Sequence, residues 1–121
     1  MKTNLVQEKS FAFALLATEL YKELLKNNEF VLSKQFYRSA TSIGANVAEA
    51  SAAHSKKDFA AKMSISSKEA REALYWLRLL EQSDFIEFDF SAIIVACKQL
   101  IRILTAIVKT AQANIQISSN Q

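Results

Sequence analysis

A chain of 121 residues with a single glycine, Gly44, and no proline has almost nothing with which to interrupt regular backbone structure. Proline removes a backbone donor and glycine adds conformational freedom, so both are the usual punctuation between short elements. A sheet protein would need turn residues roughly every ten positions, and clusters of Gly, Pro, Asn and Asp at that spacing are missing. The sequence therefore predicts an all-α chain of long helices, one domain spanning residues 1–121.

Apolar residues recur at helical steps in four segments. Val6, Phe13, Leu16, Ala17, Leu20 and Leu24 fall on one face of a first helix from Val6 to Lys26, ended by Asn27 and Asn28. A second helix is expected to start with Ser33 as its N-cap, to carry Phe36, Ala40, Ile43, Val47 and Ala50 inward, and to end near Ala53. Ser55 followed by Asp58 has the spacing of a capping box and opens a third helix whose inner face is Phe59, Met63, Ser66, Ala70, Ala73, Leu74 and Leu77. The pattern breaks near Ser83. Phe85 to Phe90 alternates apolar and acidic residues and reads as a connecting loop. The seam of a fourth helix follows, with Ile93, Cys97, Leu100, Leu104, Ile107 and Ala111, fraying after Asn114 into a loose polar tail, Ser118 to Gln121. Short connections between long helices predict an antiparallel up-down-up-down four-helix bundle crossing at about 20°.

Cys97 has no second cysteine to pair with and sits in an apolar run, which suits a small buried hydrophobe. The apolar stretch Phe11 to Ala17 is flanked by Glu8, Lys9 and Glu19 without a convincing cleavage site, so no signal segment is expected there. No uninterrupted run approaches the roughly 18 apolar residues of a membrane span. A cytoplasmic protein with no membrane partner is expected.

Three helices carry more apolar surface than one core needs. Phe11 and Leu15 lie nearly opposite the inner stripe of the first helix; Ile65, Trp76 and Leu79 form a second cluster on the third; Ile94, Ile101, Val108 and Ile115 widen the arc of the fourth. Large exposed apolar patches on soluble proteins usually mark interfaces, and a homo-oligomer is expected. Ser39, Ala40, Ser42, Gly44, Ala45 and Ala48 would let a neighbouring helix approach closely, within the subunit or across a subunit contact.

Residues for catalysis are not assembled. One histidine, His54, cannot supply a histidine metal cluster or the paired Glu-x-x-His motifs of a di-iron bundle, and no nucleophile elbow surrounds any serine. Phosphate-cradling loops need glycines, and Gly44 stands alone in a helical pattern. Glu69 and Glu72 read as members of a salt-bridged solvent face with Lys68, Arg71 and Arg78. No enzyme and no cofactor are expected.

The basic residues are the better lead. The net charge is +3, and after Asp89 every charge is positive: Lys98, Arg102 and Lys109 fall in one narrow stripe of the fourth helix. Lys34 with Arg38 makes a similar pair on the second, and Lys56 with Lys57 opens the third. These are the candidate nucleic-acid contacts, against the alternative that they only keep apolar helices soluble.

The block Arg38 to Ala50 (RSATSIGANVAEA), then Lys57-Asp58-Phe59, then Lys68 to Leu80 (KEAREALYWLRLL) resembles the bacterial four-helix bundle proteins associated with 23S ribosomal RNA intervening sequences. The likeness runs from the Phe13 to Tyr21 segment through Ile103 to Ile107. It implies a homopentamer shaped like a tapered barrel, with no known enzymatic activity. Related accessory proteins of diversity-generating retroelements bind nucleic acid and a reverse transcriptase through basic surfaces, so RNA or DNA and a protein such as a reverse transcriptase are the partners the resemblance implies. Motif residues that carry over are Arg38, Ser39, Asn46, Glu49, Glu72, Trp76 and Arg78; Ala50 stands where many members have glycine.

Overall fold

The computed structural model describes residues 2–119, which form four helices: α1 (Lys2–Lys26), α2 (Leu32–Ser51), α3 (Lys56–Ser83) and α4 (Ser91–Ser119). Residues 120 and 121 of the expected polar tail lie outside the described residues. The longest connection, residues 84–90, reaches at most about 25 Å, less than the roughly 30 Å length of the shortest helix, so each helix must run antiparallel to the one before it. Contacts between α2 and α3 agree: Arg38 meets Glu69, Ile43 meets Ser66 and Glu49 meets Lys62, so one position rises as the other falls. Packing is closest between α2 and α3, then α3 and α4, then α1 and α2, and α4 closes on α1 with the least contact. The result is an all-α four-helix bundle.

The expected inner stripes form the core. Val6, Phe13, Ala17, Leu20 and Leu24 of α1, Phe36, Ala40, Ile43, Val47 and Ala50 of α2, Met63, Ala70, Ala73 and Leu77 of α3, and Ile93, Cys97, Leu100 and Leu104 of α4 are all buried. Phe59, Leu74 and Ile107 pack at the margin of that core. Leu16 departs from the pattern and is exposed, because it lies at the edge of α1 toward α4, the helix pair with the least contact.

The ends of the helices show local chemistry at work. Asn28 takes the left-handed conformation (φ 62°) just past α1, where its amide bonds to the Leu25 carbonyl and that of Glu29 to the Leu24 carbonyl; asparagine here fills the place usually held by glycine. Glu29 then turns back to cap the next helix. Its buried carboxylate accepts the backbone N–H of Ser33 at 2.6 Å, Leu32 at 3.1 Å and Val31 at 3.2 Å. The expected Ser33 cap is thus corrected: Ser33 lies inside α2, buried, and its hydroxyl donates to the Glu29 carbonyl. Ser55 does cap α3, accepting from the Asp58 N–H at 3.0 Å.

Two further expectations about α4 are corrected. The helix continues to Ser119 instead of fraying after Asn114. Ser91–Ile117 is also long and apolar enough to cross a membrane, with a mean hydropathy of 1.8, because isolated cations break an apolar run without lowering its average much. In the bundle its inner residues are spent on the core.

Candidate nucleic-acid interface

Helix spacing divides the outer surface of α3 into two edges. Glu69, Glu72 and Trp76, at steps of three and four, share the edge toward α2; Arg71 and Leu74 share the edge toward α4. The two edges have opposite chemistry.

On the α2 side the carboxylates meet Arg38. Its Nη1 donates to Glu69 Oε2 at 3.1 Å, its Nη2 to Glu69 Oε1 at 3.2 Å, and Nη2 also donates to Glu72 Oε2. Glu72 Oε2 accepts in addition from the Trp76 indole N–H at 3.0 Å. Ser42, held by Asn46 through a 3.1 Å bond between Asn46 Nδ2 and Ser42 Oγ, lies at the Glu69 end of the network. The hydrogen bonds to Glu69, then those to Glu72, raise the Arg38 pKa above its ordinary value. Glu72 is held below the usual carboxylate value chiefly by the Trp76 bond, against the opposing effect of burial, with Arg38 assisting.

Arg38, a candidate nucleic-acid contact, is therefore occupied within the chain. The expectation that Glu69 and Glu72 are salt-bridged holds, with the partner corrected from Lys68, Arg71 and Arg78 to Arg38 of the neighbouring helix. Glu49 pairs across the same seam with Lys62 at 3.1 Å, and Ser39 is buried with its hydroxyl on the Phe36 carbonyl. Of the motif residues, Arg38, Asn46, Glu72 and Trp76 form one connected surface clamp between α2 and α3; Arg78 is exposed outside it.

On the α4 side a shallow groove is lined by Arg71 and Leu74 from α3 and by Lys98, Ile101 and Arg102 from α4. Three cations surround an apolar floor. Arg71 is steadied by a 2.9 Å bond from Nη2 to the Thr105 hydroxyl, and none of the three belongs to an ion pair among the described residues. Lys109 is exposed further along α4 and does not line the groove; Lys34, Lys56 and Lys57 are exposed elsewhere. Arg71 is the member that sequence reasoning missed. Its i,i+3 relation to Leu74 and its offset from Glu72 were the available signals.

The candidate interface residues also divide. Trp76, Ile94, Ile101 and Val108 are half-buried against the chain's own core, and Leu79 is half-buried too. Phe11, Leu15 and Ile65 are exposed, at 67%, 56% and 42%. Phe11 stands at the rim of a groove between α1 and α2 walled by small residues, including Ala14, Gly44, Ala45 and Ala48. A second apolar edge lies between α1 and α4, where Lys9 donates to Gln99; Leu5 and Leu16 flank Lys9 at helical spacing and Val95 lies one turn from Gln99, all three exposed.

No group of His, Cys, Asp and Glu side chains among the described residues is arranged to hold a metal ion. Cys97 is buried with its thiol on the Ala70 carbonyl at 3.3 Å, and burial pushes its pKa up to about 12.

The fold places the chain among the small all-α proteins built as four-helix bundles. Within that class, the 23S rRNA-intervening sequence protein family matches residues 2–106, and the chain belongs to that family. It is also similar to a crystal structure of a protein of unknown function from the S23 ribosomal protein family of Bacteroides thetaiotaomicron, at 43% identity and a TM-score of 0.85, covering 90% of this chain and 99% of that one. No curated protein matches it.

Proposed function

We propose that the protein is a non-enzymatic, homopentameric scaffold that contacts nucleic acid through the α3/α4 groove. The observation that carries this reading is the contrast between two sets of cations. Arg38 is neutralised by two carboxylates, whereas Arg71, Lys98 and Arg102 converge on one groove and form no ion pair among the described residues. Repeated around a ring, the groove would multiply a net charge of +3 per chain into a field that attracts phosphates. A ring larger than a dimer joins two different faces of each subunit, and the two apolar edges flanking α1 supply such a pair. In this reading the apolar surface of α4 serves the bundle and its assembly and not a bilayer.

Light scattering behind size exclusion tests the assembly and should give about five times the 13.6 kDa chain mass; a monomer overturns it. Salt-titrated RNA binding tests the groove. Replacing Arg71, Lys98 and Arg102 together by alanine should weaken binding and flatten its salt dependence, because fewer counterions are released. Unchanged affinity in that variant overturns the groove assignment.

A second reading, a protein-docking module without nucleic acid, is favoured by Phe30 and Val31, which the Glu29-capped turn holds 57% and 72% exposed. Trp76, an expected interface residue, is half-buried and hydrogen-bonded to Glu72 and so offers a partner less surface than they do. A protein partner recovered after nuclease treatment, and lost on Phe30→Ser, would support it.

A further inference from the structure

An exposed aromatic side chain, Tyr75, stands on the solvent-facing ridge of α3 one turn from Arg71, beside the cationic groove and outside its lining. Tyr75 follows Leu74 of the groove floor and lies three residues before Arg78, so it shares the outer ridge of α3 with Lys68, Arg71 and Arg78. It is 60% exposed. The ring is also packed in a T-shaped contact with Trp76, with ring centroids 5.1 Å apart and an interplanar angle of 76°.

Trp76 is itself tied down, because its N–H is bonded to Glu72 and Glu72 to Arg38. The clamp between α2 and α3 thus fixes Trp76, and Trp76 limits where the Tyr75 ring can go. An aromatic surface held in place before binding loses little side-chain freedom when a ligand arrives. Tyr75 has no hydrogen-bond partner of its own that would account for its placement among the described residues.

We infer that Tyr75 is a stacking platform for an unpaired base, and that the α3/α4 groove takes single-stranded polynucleotide in preference to duplex. This rests on the nucleic-acid reading above and specifies its ligand. In a duplex the base faces are covered by their neighbours, so a solvent-facing ring offers a duplex nothing; a single strand can lay one base on the ring while its phosphates reach Arg71, Lys98 and Arg102. The apolar floor of Leu74 and Ile101 suits the remaining base or sugar surface. Backbone charge and base stacking together are the recognition chemistry of single strands, tolerant of sequence because every base has a face to stack.

The test compares the full-length protein and its Y75A and Y75F variants by fluorescence anisotropy at several salt concentrations. Three labelled probes are used, each of roughly 16 units, the upper site size of a single-strand binding fold: an oligouridylate, an oligothymidylate and a mixed-sequence DNA duplex. The expected result is tighter binding of the single strands than of the duplex. Y75A should weaken single-strand binding about five- to a hundredfold, the range spanned by loss of one base stack, with the salt slope unchanged because no charge is removed. Y75F should bind like the parent. Single-strand affinity untouched in Y75A, or a preference for duplex, overturns the inference and leaves the basic groove standing. Binding of no probe overturns both. A smaller assembly mass for Y75A assigns the ring to a subunit contact and overturns the platform.

Discussion

Arg38 of α2 holds both oxygens of Glu69 across the helix seam, Nη1 on Oε2 at 3.1 Å and Nη2 on Oε1 at 3.2 Å. A planar guanidinium matches a carboxylate in this two-point geometry, and a lysine ammonium does not. Half of the Arg38 side chain remains exposed, so water screens the pair and its worth is modest. Arg38→Ala is expected to lower stability by about 1 kcal/mol, measured by urea denaturation, and Arg38→Lys should restore only part of it. A double-mutant cycle with Glu69→Gln isolates the coupling; a coupling of zero would show that the pair is incidental.

Glu29 joins α1 to α2, and its removal tests how much one buried carboxylate contributes. Burial would by itself raise its pKa, but the N–H groups of Ser33, Leu32 and Val31 outweigh burial and hold it below 4.5. Glu29→Ala leaves those donors uncapped and is expected to cost about 1–2 kcal/mol at neutral pH, readable as a lower thermal midpoint.

The pH dependence follows from the same groups. Glu29 and Glu72 both have folded pKa values below the ordinary 4.5, so the unfolded chain binds protons first as the solution is acidified. Their contribution is complete above about pH 5, declines as the pH falls through 4.5, and is lost below the folded values. Thermal melts from pH 7 to pH 3 should show the midpoint dropping in that window. The drop should be smaller in Glu29→Ala.

Gly44 lies in the interior of α2 with ordinary helical backbone, and a Cβ placed there would meet Ser10 Oγ at 3.4 Å, a normal contact distance. Gly44→Ala should therefore raise the stability of the chain by about 0.5–1 kcal/mol. The same methyl would narrow the small-walled groove beside Phe11. If that groove seats a neighbouring subunit, light scattering of the variant will show a smaller mass despite the more stable fold.

Cys97 should be inert while the chain is folded. Its thiol is buried, donates to the Ala70 carbonyl and has a pKa of about 12, so almost no thiolate exists near neutrality. Reaction with a disulfide reagent at pH 8 should proceed only as fast as the bundle opens. Prompt reaction in the absence of denaturant would contradict the packing around α4.

What could be read from sequence was whatever repeats within one helix. Phe36, Ala40, Ile43, Val47 and Ala50 declare their burial by spacing alone, because 3.6 residues per turn makes the inner stripe a local property. Ser55 declares itself as a cap for a similar reason, since its hydroxyl reaches an amide only three residues on. Ser33 misled because the same spacing logic could not see Glu29, whose longer side chain folds back over the helix start once it is buried there.

The candidate site was legible only in pieces. Lys98 and Arg102 announced their stripe, but Arg71 joined them, and Arg38 left them, through helix neighbours that no spacing within one segment encodes. Leu16 and Trp76 were misplaced in the same way: one is exposed at the edge between α1 and α4, the other packs against the core beside the clamp. The sequence by itself determined four helices, their inner faces and the excess of cations on the last of them, since these depend on periodicity and composition. The tertiary structure decided which charges are paired within the chain and which cations gather in one groove. That outcome depends on which edges of adjacent helices face each other: it sets Arg38 against Glu69 and Glu72 and brings Arg71 beside Lys98 and Arg102 in the groove between α3 and α4.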